Sequence, residues 1–225
     1  MKKLYGIGTG PGDPELLTLK AVRIIEGAGV IFAPNNKGSN MAVDTAREFI
    51  GNTKLILIDF PMGHVTKEDY SKGAEIISKE IPDEEYGVFL TIGDSMIYST
   101  FIYIMEELRL KSIDIEIVPG IPSFVAAACA SKTPLTLKGE SLLICDELED
   151  ELLKSVNSIA ILKTLKDNEN LLDILEENKY EYKYIKKATL KDQEILTDKE
   201  NILNEKDYIS LILARKTNQG VKYEG

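Results

Sequence analysis

The chain has 225 residues, of which 44% are hydrophobic and 28% are charged, a composition typical of folded proteins with one large or two modest α/β domains. Its net charge of −10 at pH 7 disfavours a duplex nucleic-acid binder, which usually presents a basic surface. Its single histidine excludes a metal site built from several histidines.

The sequence shows no pattern typical of export or of membrane insertion. No apolar stretch approaches the roughly 18 residues of a membrane span, and MKKLYGIG lacks the apolar core and cleavage site of a signal peptide. The two cysteines, Cys129 and Cys145, form no CxxC pattern. We therefore expect free thiols in a reducing cytoplasm, with neither membrane nor nucleic acid as a partner.

The first half of the chain alternates between apolar runs and amphipathic stretches. The apolar runs, predicted as buried strands, are KLYGIG (3–8), VIFAP (30–34), LILIDF (55–60), YGVFLTIG (86–93) and IEIVPG (115–120). The stretches between them, predicted as helices, are 14–27, 41–50, 66–80 and 98–110. This alternation predicts a mostly parallel sheet with helices on both faces.

The second half of the chain has a different rhythm. It contains a predicted strand at 156–164, a predicted helix at 168–179 and three strand-like runs at 180–189, 194–196 and 208–216. No helix-length run separates the first two of these three, which predicts hairpins in a mixed or antiparallel sheet. Because the rhythm changes after PGIPS (119–123), we predict two α/β domains, residues 1–119 and 120–225.

A glycine-rich turn follows the first predicted strand. Glycine occupies every second position from Gly6 to Gly12, and Asp13 follows as a helix cap. The pattern is neither a Walker A loop nor GxGxxG, and Asp13 with Glu15 occupies the positive helix end that a phosphate would need. Two interpretations stay open: the turn packs tightly, or a ligand approaches its backbone closely.

Two further stretches suit a binding site. Gly93-Asp94 ends the fourth apolar run, at the edge where open α/β sheets bind ligands. There Asp94 either accepts hydrogen bonds from a ligand or caps the following helix. The Pro-Gly-Ile-Pro sequence at 119–122 is a rigid connection, which suits a linker, a site or both.

Together these stretches resemble the tetrapyrrole methylase family, which transfers methyl groups from S-adenosyl-L-methionine. The family's opening GxGPGDPxLLTLKA pattern is matched from Gly8 to Ala21, and its V-P-G-I motif from Val118 to Ile121. Its Gly-Asp-Pro motif is matched by Gly93 and Asp94, with Ser95 in place of proline.

Within the family the chain is most similar to methylases that act on C-20 of precorrin-2 or cobalt-factor II in cobalamin synthesis. The features typical of that branch are VIFAP (30–34), the run from Asp59 to Met62, the run from Met96 to Thr100, and GESLLI (139–144). Between a metal-free and a cobalt-loaded macrocycle, we favour the cobalt-loaded form.

The resemblance implies two αβα domains, with the methyl donor in the cleft between them, usually in a homodimer. Position by position, it implies donor contacts from Pro11, Ile92, Gly93, Asp94, Ile97, Pro122, Ser123, Lys163 and Ala188. We expect the tetrapyrrole substrate to contact Gly10, Gly12, Met62 and Tyr98.

Methyl transfer from a sulfonium needs placement more than a nucleophile, because the donor is already activated. No protein-bound metal is therefore expected. Tyr98, Asp94 and His64 are candidates for removing the proton, and water or the macrocycle could do so instead.

Three alternatives stay open. The chain could belong to another branch of the family, acting at a different ring position, on RNA or on a translation factor, although its negative charge disfavours RNA. It could be a flavodoxin-like module that binds a nucleotide or flavin without chemistry. It could also be a donor-binding regulator that has no catalytic activity.

Overall fold

The computed structural model describes residues 2–35, 40–61, 65–164, 168–207 and 209–216. The chain divides between Pro122 and Ser123 into two compact units. Each unit contains one five-stranded sheet. The α/β fold class predicted from the sequence is therefore confirmed.

The first unit alternates strands and helices. Its strands are β1 (Lys3–Gly8), β2 (Val30–Pro34), β3 (Lys54–Ile58), β4 (Tyr86–Thr91) and β5 (Asp114–Val118). Its helices are α1 (Leu19–Glu26), α2 (Met41–Ile50), α3 (Lys67–Glu80) and α4 (Thr100–Leu108), with 3₁₀ turns at Pro14–Leu16 and Arg109–Lys111. The strand order is β3-β2-β4-β1-β5, and all the pairings are parallel.

Helices cover both faces of this sheet. Ile7 and Ile31 pack on one face with residues of α1 and α2. Leu4 and Phe32 pack on the other face with residues of α3 and α4. Neighbouring residues of a strand point to opposite faces, so continuous apolar runs such as VIFAP supply both cores. Each fully buried side chain of this kind stabilises the unit by about 1.5–3 kcal/mol.

The second unit holds a mixed sheet. Its elements are α5 (Ser123–Ser131), β6 (Leu142–Cys145), β7 (Ser158–Leu162), α6 (Asn168–Glu177), β8 (Tyr180–Lys186), β9 (Glu194–Leu196), α7 (Lys199–Leu203) and β10 (Ser210–Lys216), with a 3₁₀ turn at Asp150–Lys154. The strand order is β6-β7-β10-β8-β9. β6 and β7 are parallel, and the other pairs are antiparallel, which confirms the predicted mixed sheet.

The predicted helix over 14–27 is wrong in its first turn. Pro14–Leu16 forms only a 3₁₀ turn, and Leu17 is extended, with φ −66° and ψ 138°. The helix starts again after Thr18, whose side-chain oxygen accepts a hydrogen bond from the Ala21 amide at 3.1 Å. A threonine hydroxyl offers the backbone this alternative to a continuous helix.

The predicted helix over 98–110 also begins later than expected. Tyr98 has φ +46°, outside the helical region. Ser99 caps α4 by accepting a hydrogen bond from the Phe101 amide at 3.0 Å. Tyr98 therefore lies in the loop between β4 and α4.

Both cysteines, Cys129 and Cys145, are free thiols. Burial raises the pKa of the Cys145 thiol to about 11, and the charge of Asp146 adds to this, so Cys145 stays protonated and unreactive at neutral pH. Among the described residues, every helix is too short or too polar to cross a lipid bilayer.

Candidate functional site

The loops after β1 and β4 lead to opposite faces of the first sheet. These strands are neighbours, but β1 continues to α1 on one face and β4 continues to α4 on the other. In open α/β sheets, such a topological switch point leaves a crevice beyond the carboxyl ends of the strands, where ligands bind. The glycine-rich turn and the Gly93-Asp94 loop flank this point.

These two loops are bonded directly to each other. The Gly10 amide donates to the Gly93 carbonyl at 3.1 Å, and the Gly93 amide donates back to the Gly10 carbonyl at 2.7 Å. The Thr91 carbonyl accepts both the amide and the hydroxyl of Thr9, at 2.8 and 3.1 Å. The two motifs thus form a single platform at the edge of the sheet.

Tight packing explains much of the glycine-rich turn. A Cβ atom on Gly8 would lie 2.6 Å from both the Gly120 nitrogen and the Gly93 oxygen, and one on Gly120 would lie 2.2 Å from the Gly93 oxygen. Gly10 has φ +76°, which a side chain would strain. Of the two interpretations, packing therefore accounts for Gly8 and Gly10 without a ligand.

Asp94 fastens this platform to the loop that follows β5. Its Oδ2 accepts a hydrogen bond from the Gly120 amide at 3.0 Å, and its Oδ1 accepts one from the Met96 amide at 2.8 Å. Because Ser99 caps α4, the interpretation of Asp94 as the cap of that helix is wrong. Both carboxylate oxygens already hold backbone amides, so Asp94 is a weak candidate for removing a substrate proton.

Exposed apolar side chains extend from the loop after β4. Ile92, Met96 and Tyr98 are 40%, 43% and 45% exposed. A bulky residue such as Tyr98 rarely adopts a positive φ, and such strain is typical of functional sites. The other predicted contacts of this unit are less accessible: Gly10, Pro11 and Gly93 are buried, and Gly12, Asp94, Ile97 and Pro122 are half-buried.

An aromatic row, absent from the sequence predictions, lies at the same edge of the sheet. Phe60 follows β3, and Tyr70 and Tyr103 lie in the first turns of α3 and α4. The ring centroids are 5.7 Å apart for Phe60 and Tyr70 and 4.8 Å apart for Tyr70 and Tyr103, and the latter pair is stacked with an interplanar angle of 18°. Tyr103 is 55% exposed. The sequence pattern that could have revealed this aromatic row is the tyrosine in the first turn of α3 and of α4.

In the second unit, Lys163 and Ala188 lie at the same end of the sheet. β7 and β8 both run antiparallel to β10, so their carboxyl ends, which these two residues follow, share one edge. Lys163 has φ +61° and its neighbour Thr164 is buried, with its hydroxyl 3.0 Å from that of Ser210. Ser123 begins α5.

Buried polar atoms without partners concentrate beside the predicted donor contacts. Within the described ranges, four buried side-chain polar atoms lack a hydrogen bond. Three of them, on Thr91, Ser95 and Thr189, belong to direct neighbours of Ile92, Asp94 and Ala188. An unpaired buried polar atom costs roughly 1–3 kcal/mol, a loss that proteins accept more often at functional sites than in their scaffold.

Two of the predicted residues, Met62 and His64, lie outside the described residues. In the part of the chain that the structure describes, no three His, Cys, Asp or Glu side chains are grouped closely enough to hold a metal ion.

The switch point and the platform of two joined loops define an α/β protein with a candidate ligand site at the carboxyl edge of a parallel sheet. Residues 3–203 match the family model described as Tetrapyrrole (Corrin/Porphyrin) Methylases. The chain belongs to this family, and the resemblance inferred from its motifs is confirmed.

Relatives and solved structures agree with this assignment. The chain is 32% identical over 226 residues to a probable cobalt-precorrin-2 C(20)-methyltransferase of Methanocaldococcus jannaschii, covering 96% of this chain and 97% of the relative. It is 31% identical over 172 residues to a cobalt-precorrin-2 C(20)-methyltransferase of Salmonella typhimurium, covering 72% of each. Its fold resembles a Thermus thermophilus uroporphyrin-III C-methyl transferase complexed with S-adenyl homocysteine, at TM-score 0.68, 20% identity and coverage of 95% and 97%.

Proposed function

We propose that this protein transfers the methyl group of S-adenosyl-L-methionine to C-20 of cobalt-precorrin-2 in cobalamin biosynthesis. The observation that carries this proposal is the likeness to the Methanocaldococcus jannaschii methyltransferase, which extends over nearly the whole length of both chains. It includes both motif loops of the first unit and the strands of the second.

The bound donor supplies a methyl group that its positive sulfur already activates. The task of the chain is then to hold the two reactants in line, which alone supplies roughly 7–11 kcal/mol of the barrier. The bonds between Gly10 and Gly93 and the clamp made by Asp94 suit this task, because they prevent the loops from moving independently. We propose Pro11, Ile92, Gly93, Asp94, Ile97, Pro122, Ser123, Lys163 and Ala188 as the donor contacts.

We propose that the macrocycle lies against the exposed apolar edge of the first unit. Tyr98 and Tyr103 are among its exposed large side chains, and aromatic rings favour stacking with flat partners. Gly10, Gly12 and Met62 complete the proposed substrate contacts. Cobalt belongs to the substrate in this scheme, so the protein needs no metal of its own. Of the three proton acceptors considered, Tyr98 is preferred to Asp94, and water or the macrocycle stays an alternative.

We further propose that the protein works in the cytoplasm as a homodimer. The two proposed domains are residues 1–119 and 120–225. Family resemblance supports these proposals. Sedimentation equilibrium measures the dimer directly, and a monomeric mass at working concentration would exclude it.

Product analysis with a labelled donor tests the proposed reaction. The purified protein would be given S-adenosyl-L-methionine carrying a ¹³C methyl group, together with either cobalt-precorrin-2 or metal-free precorrin-2. We expect one labelled methyl group at C-20 by NMR, formed faster with the cobalt-loaded substrate. Label at another ring carbon would reassign the branch of the family, and no transfer to either substrate would overturn the proposal.

A further inference from the structure

A second pocket lies within the second unit, away from the predicted donor contacts. It has a volume of about 660 Å³ and is lined by the first residues of β8, the last residues of β10 and the loop after α5. Tyr180 pairs with Lys216 at this end of the sheet, whereas Lys186 pairs with Ser210 at the other end, which Ala188 follows. The seven residues of β8 separate the two ends by roughly 20 Å.

The lining of this pocket is basic although the chain is acidic overall. Four basic residues line it, Lys132, Lys183, Arg215 and Lys216, with Glu181 as the single acidic residue. The Lys216 side chain turns to the other face of the sheet, where it contacts the Leu153 carbonyl and the Tyr180 ring, because neighbouring residues of a strand point to opposite faces. The whole chain carries a net charge of −10. A volume within the ordinary range for small-molecule sites thus coincides with a local excess of positive charge.

One of these four cations is already neutralised. The Nη2 atom of Arg215 lies 2.8 Å from both carboxylate oxygens of Glu140, and its Nη1 donates to the Pro134 carbonyl and the Ser158 hydroxyl. Arg215 is therefore a fixed wall of the pocket. The excess charge on this face comes from Lys132 and Lys183.

Among the residues that the structure describes, the pocket lysines lack carboxylate partners. Within the described ranges, no Asp or Glu oxygen lies within 4.0 Å of the Nζ atom of Lys132, Lys183 or Lys216. Lys183 donates to the Ser131 carbonyl at 2.7 Å and Lys216 to the Leu153 carbonyl at 2.8 Å. Each neutral carbonyl takes only one of the three hydrogens of an ammonium group.

Other lysines of the same unit are paired with acids. Lys186 lies 2.9 Å from Glu194, Lys187 lies 2.5 Å from Asp192, and Lys199 contacts Asp173. The acidic chain has carboxylates to spare, yet none of the described carboxylate oxygens lies within 4.0 Å of Lys132 or Lys183. Among the described residues, the charges of Lys132 and Lys183 therefore stay available to a ligand.

Lys132 also occupies a position that disfavours a lysine. It follows the last residue of α5 with φ +52°, and the Thr133 amide bonds back to the Ala128 carbonyl at 2.9 Å. This is the helix ending at which glycine is the usual residue.

We propose that the pocket lined by Lys132, Lys183 and Arg215, the basic pocket, binds a small anion that carries several carboxylate or phosphate groups. Charge-assisted hydrogen bonds from the lysines would hold it. The site is separate from the proposed donor contacts, and its ligand affects the donor site only through the fold.

Titration calorimetry with two probes tests this proposal. Inorganic pyrophosphate and citrate would be titrated into the full chain at constant ionic strength, since exposed charges are screened by salt. We expect saturable binding of at least one probe, with one site per chain. Preference for pyrophosphate identifies a phosphate ligand, and preference for citrate identifies a carboxylate ligand.

Variants locate the binding. Lys132 has an exposed side chain, and we expect Lys132→Gln to lower the affinity for the preferred probe several-fold. The Lys132→Gln/Lys183→Gln double variant is expected to lower this affinity at least tenfold. Lys191→Gln is the matched control, because it removes the same charge from an exposed position outside the pocket. The control is expected to bind the probe as the unchanged protein does.

Three results would overturn the proposal: no saturable binding of either probe, equal weakening by Lys191→Gln, or displacement of the probe by S-adenosylhomocysteine. Binding of S-adenosylhomocysteine by each variant is measured in parallel. If the pocket variants lose the anion and keep S-adenosylhomocysteine, the basic pocket is shown to be independent of the proposed methyl transfer. If the protein instead transfers no methyl group to either tetrapyrrole, the anion titrations are expected to stay unchanged.

Discussion

Replacing Asp94 with asparagine tests whether this residue clamps the loops of the first unit. Asparagine keeps one oxygen, which can still accept the Met96 amide, but it places an NH₂ group where Oδ2 accepts the Gly120 amide at 3.0 Å. Two donors would then face each other. The link between the loops after β4 and β5 would be lost.

The expected magnitude follows from the bond that is lost. A hydrogen bond to a charged group contributes roughly 1.5–3 kcal/mol to stability. Asp94 is half-buried, so we expect Asp94→Asn to lower the free energy of unfolding of the first unit by about 2 kcal/mol. The affinity for S-adenosylhomocysteine should fall with it, because the platform becomes mobile.

Equilibrium urea unfolding followed by circular dichroism, with separate transitions fitted for the two units, measures the change. Asp13→Asn is the matched control, since the Asp13 side chain accepts the Glu15 amide at 2.9 Å, and asparagine caps equally well. We expect the control to change stability by less than about 0.5 kcal/mol. Unchanged stability of Asp94→Asn would refute the clamp, and any loss of donor affinity would then come from the proposed contact of Asp94 with the donor alone.

Three further substitutions probe other features. Ser95→Ala removes a fully buried, unpartnered hydroxyl, so urea unfolding should show a gain of about 1 kcal/mol; a loss would show that the hydroxyl is satisfied. Lys20 and Lys3 lower the pKa of Glu116 from 4.5 to about 2. The unchanged protein should therefore be more stable than the Glu116→Gln variant above pH 4.5, and this difference in unfolding free energy should vanish towards pH 2. An advantage that persists at pH 2 would contradict this. Tyr103→Leu should raise the KM for the macrocycle about fivefold with kcat unchanged; unchanged KM would remove Tyr103 from the substrate site.

The sequence predicted the elements best where hydrophobic periodicity was uninterrupted. The bounds of β2 and α2 are the predicted ones, 30–34 and 41–50. The errors in the first and fourth helices have one cause, since Thr18 and Ser99 both offer side-chain caps inside an apolar-periodic run. The periodicity of the apolar residues does not register such a cap.

Short elements of the second unit escaped prediction for a different reason. β6 has four residues and α7 has five, so neither shows more than about two repeats of its period, although the three-residue β9 was predicted. Both are stabilised by the packing of their side chains in the core of the unit, where Cys145 and Ile202 are buried. Such tertiary contacts cannot be inferred from the local sequence.

The candidate site was predicted in its loops but not in its internal bonds. The family motifs identified Gly10, Gly93 and Asp94. That Asp94 holds Gly120, a residue 26 positions away, depends on the neighbouring positions of β1, β4 and β5 in the sheet. The stacking of Tyr70 and Tyr103 likewise requires α3 and α4 to lie side by side.

Amide hydrogen exchange with and without S-adenosylhomocysteine tests most directly that the donor is held at the carboxyl edge of the first sheet. We predict slower exchange in the segments 9–13, 92–98 and 119–125 when S-adenosylhomocysteine is bound, with the segment at 180–184 unchanged. Protection confined to other segments, or no protection at saturating concentration, would contradict the account.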